Sequence, residues 1–156
     1  MAKGCSQQRL LTIATEVRAF LEPHWADWHQ HAGSPRLLTL SQGTCGRSSL
    51  VLRDVLRAKG FSAMLIAGSP SEGPQGFWFE GAWHGHAWVE CDGWIVDVTA
   101  DQFDAPPVIV TPVGDSRYRA GVDAAEPEFL ARRQRVAAAL MAQWNERMKE
   151  GMHHET

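Results

Sequence analysis

The stretch Trp83-His84-Gly85-His86-Ala87-Trp88-Val89-Glu90-Cys91-Asp92-Gly93-Trp94-Ile95-Val96-Asp97-Val98-Thr99 decides the fold. Asp92-Gly93 is a strong two-residue hairpin turn between alternating runs. A turn there pairs Cys91 with Trp94, Val89 with Val96 and Trp88 with Asp97. Side chains alternate faces along a strand, so Ala87, Val89, Cys91, Trp94, Val96 and Val98 share one face, and all are apolar. His86, Trp88, Glu90, Ile95, Asp97 and Thr99 share the other, which reads as a functional or solvated face. His86 and Asp97 then lie diagonally across the hairpin, about 7 Å apart at their bases. One hydrogen bond between imidazole and carboxylate spans that gap. A three-residue loop in place of the tight turn would break this pairing. His84 shares the His86 face if the strand extends that far, so the pattern alone leaves both histidines open.

Working outward, Leu52, Val55 and Leu56 recur at helical spacing after Ser41-Gln42-Gly43-Thr44-Cys45, and Gly60 closes the run. Thr44 suits the N-cap and Gly60 the left-handed C-terminal cap. Cys45 would open this helix, where free backbone N–H groups and the helix dipole favour thiolate over thiol. A buried cysteine acting as a small hydrophobe is the alternative. Cys5 is expected in a frayed terminus and Cys91 in a strand core.

An earlier helix, about residues 7–22, carries Leu10, Ile13, Ala14, Val17 and Leu21 and is closed by Pro23. A polar, aromatic stretch with His24, Trp25, Trp28, His29 and His31 follows, ending in the turn Gly33-Ser34-Pro35. Short β-like runs are expected over Ser62 to Ala67, Phe77 to Phe79, Gly85 to Cys91, Trp94 to Thr99 and Val108 to Thr111, forming an antiparallel sheet. A last helix, about 127–149, opens at Pro127 and sets Phe129, Val136, Leu140 and Trp144 on one stripe. The class is α+β: a single domain over 1–156, with its core at about 36–112.

Composition excludes several functions. With a net charge of −3 and no dense basic run, no nucleic-acid partner is expected. The first residues enter polar, amphipathic sequence rather than a secretory leader. No apolar run approaches the roughly 20 residues a membrane helix needs. The three cysteines stand in separate contexts, which fits free thiols in a reducing compartment. A soluble cytoplasmic protein without a membrane partner is expected, although export without a leader would look the same. His84-Gly85-His86 invites a zinc reading, but Cys91 falls on the opposite face, so no metal and no cofactor is expected. The seven tryptophans suit core packing, and some suit a substrate groove.

The run from Cys45 to Gly60, with its Leu56-Arg57-Ala58-Lys59-Gly60 ending, resembles the nucleophile helix of the transglutaminase-like superfamily, which has a papain-like fold. His86-Ala87-Trp88-Val89-Glu90 resembles that family's histidine strand, and Gly93-Trp94-Ile95-Val96-Asp97-Val98-Thr99 its aspartate strand. The three motifs occur in the family's order between Gln42 and Phe103. Val98 stands where many members have proline. The resemblance implies a nucleophile helix packed on a small antiparallel sheet with flanking N- and C-terminal helices. It implies Cys45 as nucleophile, His86 as general base and then acid, and Asp97 as the orienting carboxylate. The implied activity is acyl transfer at an amide of a protein or peptide through a thioester: peptidase, isopeptidase, amidase, glutamine deamidase or transglutaminase-like. Gln42, Thr44, Trp83, His84, Trp88 and Gln102 are candidates for the oxyanion site or cleft wall. A competing register, in which Gln42 to Ser48 matches the papain nucleophile motif, puts Ser48 in the nucleophile's place. A protein-binding module that keeps the fold without catalysis is the alternative function.

Overall fold

The computed structural model describes residues 2–33, 39–121 and 127–154. The Ser34-Pro35 part of the expected turn and the side chains of Cys5 and Phe129 lie outside the described residues. Among those described, three helices and two small antiparallel sheets form a mixed α+β architecture. In chain order they are α1 (Ala2–Ala32), α2 (Cys45–Ala58), β1 (Ala63–Gly68), β2 (Gly76–Phe79), β3 (Ala82–His84), β4 (His86–Cys91), β5 (Trp94–Asp97), β6 (Ile109–Pro112), β7 (Tyr118–Arg119) and α3 (Pro127–His154). None of the helices is long and apolar enough to cross a membrane.

The hairpin forms in the expected register, with Val89 opposite Val96 and Cys91 opposite Trp94. Asp92 and Gly93 both take positive φ (51° and 84°), which a type I′ turn demands. The hairpin is the centre of a four-stranded sheet ordered β1-β4-β5-β6. Its apolar face packs on α1 and α2, and Val89, Cys91, Val96 and Val98 join one buried cluster with Val17 and Trp25 of α1, Val51 and Val55 of α2 and, from α3, which packs on α2, Leu140 and Trp144. The Trp144 stripe thus faces the core, with Trp144 set edge-on to Phe20 at 5.4 Å.

The other face of the hairpin is not solvated. A second sheet, ordered β3-β2-β7, covers it and buries Phe77, Trp88, Ile95, Ile109 and Tyr118 together. The expected single sheet is therefore two. Gly85 divides the run from Ala82 to Cys91, so that β3 pairs with β2 and β4 with β1 and β5. Polar residues on that face of β4 and β5 mark a buried site rather than a wet surface.

Helix α1 also departs from expectation. It runs through Pro23 to Ala32 instead of stopping at residue 22. Proline removes one backbone hydrogen bond, to the carbonyl four residues back. Here both Pro23 and Ala19 are exposed, so water can satisfy that carbonyl. Trp25, fully buried, carries the apolar stripe past the proline. Cys5 accordingly falls within the helical span.

Helix α2 ends as anticipated. Gly60 takes φ +93°, Gly60 N donates to Arg57 O at 3.0 Å and Phe61 N to Leu56 O at 3.0 Å, the paired bonds of a Schellman cap.

Two glycines give a test of this arrangement. Gly76 has φ +108°, and a Cβ there would fall on the His84 carbonyl across the second sheet; Gly81 has φ +75° with open space around it. Gly81→Ala is expected to cost about 1 kcal/mol from backbone strain alone, and Gly76→Ala about 3 kcal/mol or more, as read by urea denaturation.

Candidate active site

Cys45 is the first residue of α2, and Ser48 N donates to Thr44 O at 3.0 Å to open the helix. Thr44 holds the N-cap position, but its side chain accepts no backbone N–H. Instead its hydroxyl donates to Ser41 O at 2.7 Å and accepts from Ser48 Oγ at 3.1 Å. The expected capping bond is thus replaced by a brace on the preceding loop. The first-turn N–H groups beside Cys45 are left without that side-chain cap, which preserves the positive helix end.

Ser48 is fully buried and its hydroxyl also accepts from Trp25 Nε1 at 2.8 Å. Its oxygen is engaged on both sides and does not line the cavity at Cys45, contrary to the register that makes it the nucleophile. Ser49 Oγ donates to Ala87 O at 3.1 Å, pinning α2 to β4 one residue from His86. The loop before α2 is held from the other side. Ser41 Oγ donates to Asp101 Oδ1 at 2.5 Å, and Asp101 takes two bonds from Arg18 at 2.9 and 2.8 Å.

His86 begins β4 and Asp97 ends β5. The ring donates from Nε2 to Asp97 Oδ2 at 2.7 Å, with both side chains fully buried. The expected diagonal contact therefore exists. Asp97 takes three further bonds: from Tyr118 OH to Oδ2 at 2.8 Å, and from Thr99 N and Thr99 Oγ1 to Oδ1 at 2.9 and 3.3 Å. Phe77 and Phe103 set their planes edge-on to the His86 ring at 5.7 and 5.1 Å, and Trp88 stacks on it at 5.9 Å. The imidazole has little freedom to rotate.

With Nε2 committed to Asp97, the remaining ring nitrogen is Nδ1, which is buried and has no hydrogen-bond partner of ordinary geometry among the described residues. The titrating group on that side is the half-buried Cys45 thiol, and the two perturb each other. Burial opposes the Cys45 thiolate, but the bond and charge of His86 and the Ala87 N–H outweigh burial, and the thiol falls below its ordinary value. Burial likewise opposes the imidazolium, yet the charge and hydrogen bond of Asp97, aided by Cys45, raise His86 to about 10. Asp97 is held below the usual carboxylate range: burial works against the anion, and His86, Thr99 and Tyr118 prevail. The arrangement favours a thiolate–imidazolium pair over two neutral groups.

Cys45 and His86 open on a small cavity of about 190 Å³, bordered by Gly68, Ser69, Gly85 and, from α3, Arg133. The other expected cleft residues lie elsewhere. Trp83 sits on the second sheet, edge-on to Trp78 at 5.3 Å with Arg119 over its ring. His84 pairs with Phe77 in that sheet and its Nε2 contacts Phe79 O at 3.2 Å, so Gly85 separates the two histidines and His86 alone reaches Asp97. Trp88 is buried behind the His86 ring rather than in a cleft wall. Gln102 supports the loop, donating to Thr99 O at 3.0 Å and accepting from Gly43 N at 3.5 Å. Gln42 is exposed and does not border the cavity. Tyr118 and Arg133 were not singled out in the sequence. Tyr118 is the chain's single tyrosine, and that rarity was the one available signal. Among the described residues no group of three His, Cys, Asp or Glu side chains is arranged to hold a metal.

Comparison of the chain with family models, with curated proteins and with solved structures returns no match.

The buried pair makes a stability prediction with a defined sign. Asp97 has a depressed value, so its contribution is present above its unfolded value of about 3.9 and lost as pH falls through the folded one. His86 is raised, so its contribution is full below about 6.5 and lost as pH climbs toward its folded value of about 10. Asp97→Ala should cost about 3–5 kcal/mol and Tyr118→Phe about 1.5–3 kcal/mol in urea denaturation. The Asp97→Ala deficit should be largest between about pH 4 and 6.5 and shrink on either side.

Proposed function

We propose that the protein performs acyl transfer at an amide carbonyl through a thioester on Cys45, as a member of the transglutaminase-like superfamily with its papain-like arrangement. The observation that supports this most is the buried His86 ring, bonded through Nε2 to Asp97 with Nδ1 left to the Cys45 thiol. A purely structural histidine in a core would be satisfied on both nitrogens.

In this reading the Cys45 thiolate attacks the carbonyl carbon, and the carbonyl electrons move to oxygen. Backbone N–H groups at the start of α2 hold the oxyanion. His86 gives its Nδ1 proton to the departing amine as the C–N bond breaks, leaving the thioester. Water or a second amine then attacks; His86 takes its proton, and the C–S bond breaks to restore the thiolate. Asp97 stays ionised throughout and fixes the ring tautomer. Ser48 has no part in these steps. The substrate class is a peptide or protein amide, and the free Cys45 and Cys91 suit a reducing, cytoplasmic setting.

Thiol labelling discriminates this from a binding module without catalysis. Burial, then Asp92, pushes Cys91 up to about 11, whereas Cys45 is lowered. Iodoacetamide at about pH 6 should alkylate Cys45 far faster than Cys91, and His86→Ala should abolish the difference. Cys45→Ala should reduce turnover of a peptide-amide library by roughly 10⁴-fold or more while leaving the urea midpoint nearly unchanged. Slow, equal labelling of both cysteines would contradict the assignment.

A further inference from the structure

Three glycines stand around Cys45, and two of them have a reason in the fold. A Cβ on Gly68 would come within 2.6 Å of both the Arg119 carbonyl oxygen and the Gly76 nitrogen. The second sheet can approach the end of β1 only because a side chain is missing there. A Cβ on Gly46 would stand 2.8 Å from Arg133 Cζ and Nε, so the bare first turn of α2 makes room for a side chain of α3. Gly85 is different. Its φ lies outside the left-handed range. A Cβ there would meet nothing closer than Gly68 O and Pro70 Cδ, both at 4.0 Å, an ordinary van der Waals separation. Neither backbone strain nor packing asks for glycine at this position. A glycine at a strand with no such reason marks a place where a ligand can come close.

The surroundings of Gly85 fit that role. It borders the cavity that holds Cys45 and the buried His86 ring. Among the residues on that border it is the exposed one, while Gly68, His86 and Ala87 are buried and the others half-buried. The cavity, about 190 Å³, is smaller than the roughly 300–1,000 Å³ of sites that enclose a whole drug-sized ligand. It has room for the reacting amide and little beyond it, so the remainder of a larger substrate must pass out over the border. A side chain at position 85 would stand in the gap between the start of β4 and the Gly68-Ser69-Pro70 corner that follows β1. The glycine leaves that gap open.

We infer that Gly85 is a specificity-determining residue, and that the chain attached to the reacting amide leaves the cavity through the gap beside it, toward Gly68 and Pro70. This rests on the thioester reading of Cys45 given above and adds a size rule to it. Position 85 decides whether Cys45 takes an amide embedded in a polypeptide or only a small free amide. The larger the side chain placed there, the smaller the group the site admits.

The test uses the full chain and two alkylating amides, iodoacetamide and its N-phenyl derivative, which share one reacting carbon and differ in bulk. In each, Sγ bonds to the methylene carbon and iodide leaves. Dividing each Cys45 rate by the rate with glutathione removes the intrinsic difference between the probes. The two normalised rates should be comparable in the wild type. Gly85→Ala should slow the phenyl probe about tenfold and Gly85→Val about a hundredfold, with iodoacetamide changed by less than about twofold. The alanine methyl has 4.0 Å of clearance, so Gly85→Ala keeps the test open if valine disturbs β4. A phenyl probe already excluded from the wild type overturns the inference, as does a Gly85→Ala chain in which both probes slow equally or neither slows. Fast iodoacetamide labelling of Cys45 without a size effect at position 85 sinks the size rule alone. Slow labelling of Cys45 in the wild type sinks the thioester reading and the size rule with it.

Discussion

The structure turns on a fully buried imidazole–carboxylate contact between His86 and Asp97. Two ionisable groups taken out of water are costly unless every lone pair and proton finds a partner. Asp97 meets that demand with four hydrogen bonds, from His86, Tyr118 and Thr99. His86 meets it on one nitrogen only. The second nitrogen faces the nearby thiol and, like the Trp88 indole N–H behind the ring, has no hydrogen-bond partner of ordinary geometry among the described residues. That imbalance is what a reactive pair requires and what a structural pair would avoid.

Burial of this contact dictates much of the remaining architecture. The hairpin that carries it must be covered on both faces, so helices pack on one side and the small β3-β2-β7 sheet on the other. The second sheet contributes Tyr118 to the carboxylate and Phe77 to the ring. Opposite it, α2 must bring Cys45 to the histidine from a fixed direction. Two braces set that direction: Ser49 to the Ala87 carbonyl, and the loop bonds running from Thr44 and Ser41 through Asp101 to Arg18. Arg18 also donates to Val98 O at 3.0 Å and Pro107 O at 2.9 Å, so α1 is tied to the strand end that holds Asp97.

Local signals made part of this readable in the sequence. Asp92-Gly93 demands one turn geometry, and a two-residue period then places His86 and Asp97 on the same face without any tertiary information. The helix from Cys45 to Gly60 is likewise marked at both ends by residues with a local reason to be there, although the Thr44 hydroxyl turned to its loop. What could not be read depends on distant chain. The polar face of the hairpin reads as functional or solvated, and its burial is not legible because nothing local announces a covering sheet, and β7 is only two residues long. Pro23 appeared to end α1 because its cost is local, while the burial of Trp25 that outweighs it is tertiary. A continuous strand would put His84 on the His86 face, but Gly85 divides it and leaves Trp83 and His84 in the second sheet, and the 3-10 turn at Ala100–Phe103 leaves Gln102 bonded to Thr99 O and Gly43 N. Arg133 reaches the cavity across a long stretch of chain, through a helix packing that no spacing rule encodes.

The most direct measurement of the central claim is a pH titration of the far-ultraviolet thiolate absorbance, taken as the difference between the wild type and Cys45→Ser. The thiolate should persist well below the ordinary thiol value of about 8.5, and Asp97→Asn should move the transition upward by weakening the imidazolium. A thiolate that appears only above about pH 8.5, unmoved by Asp97→Asn, would contradict the account.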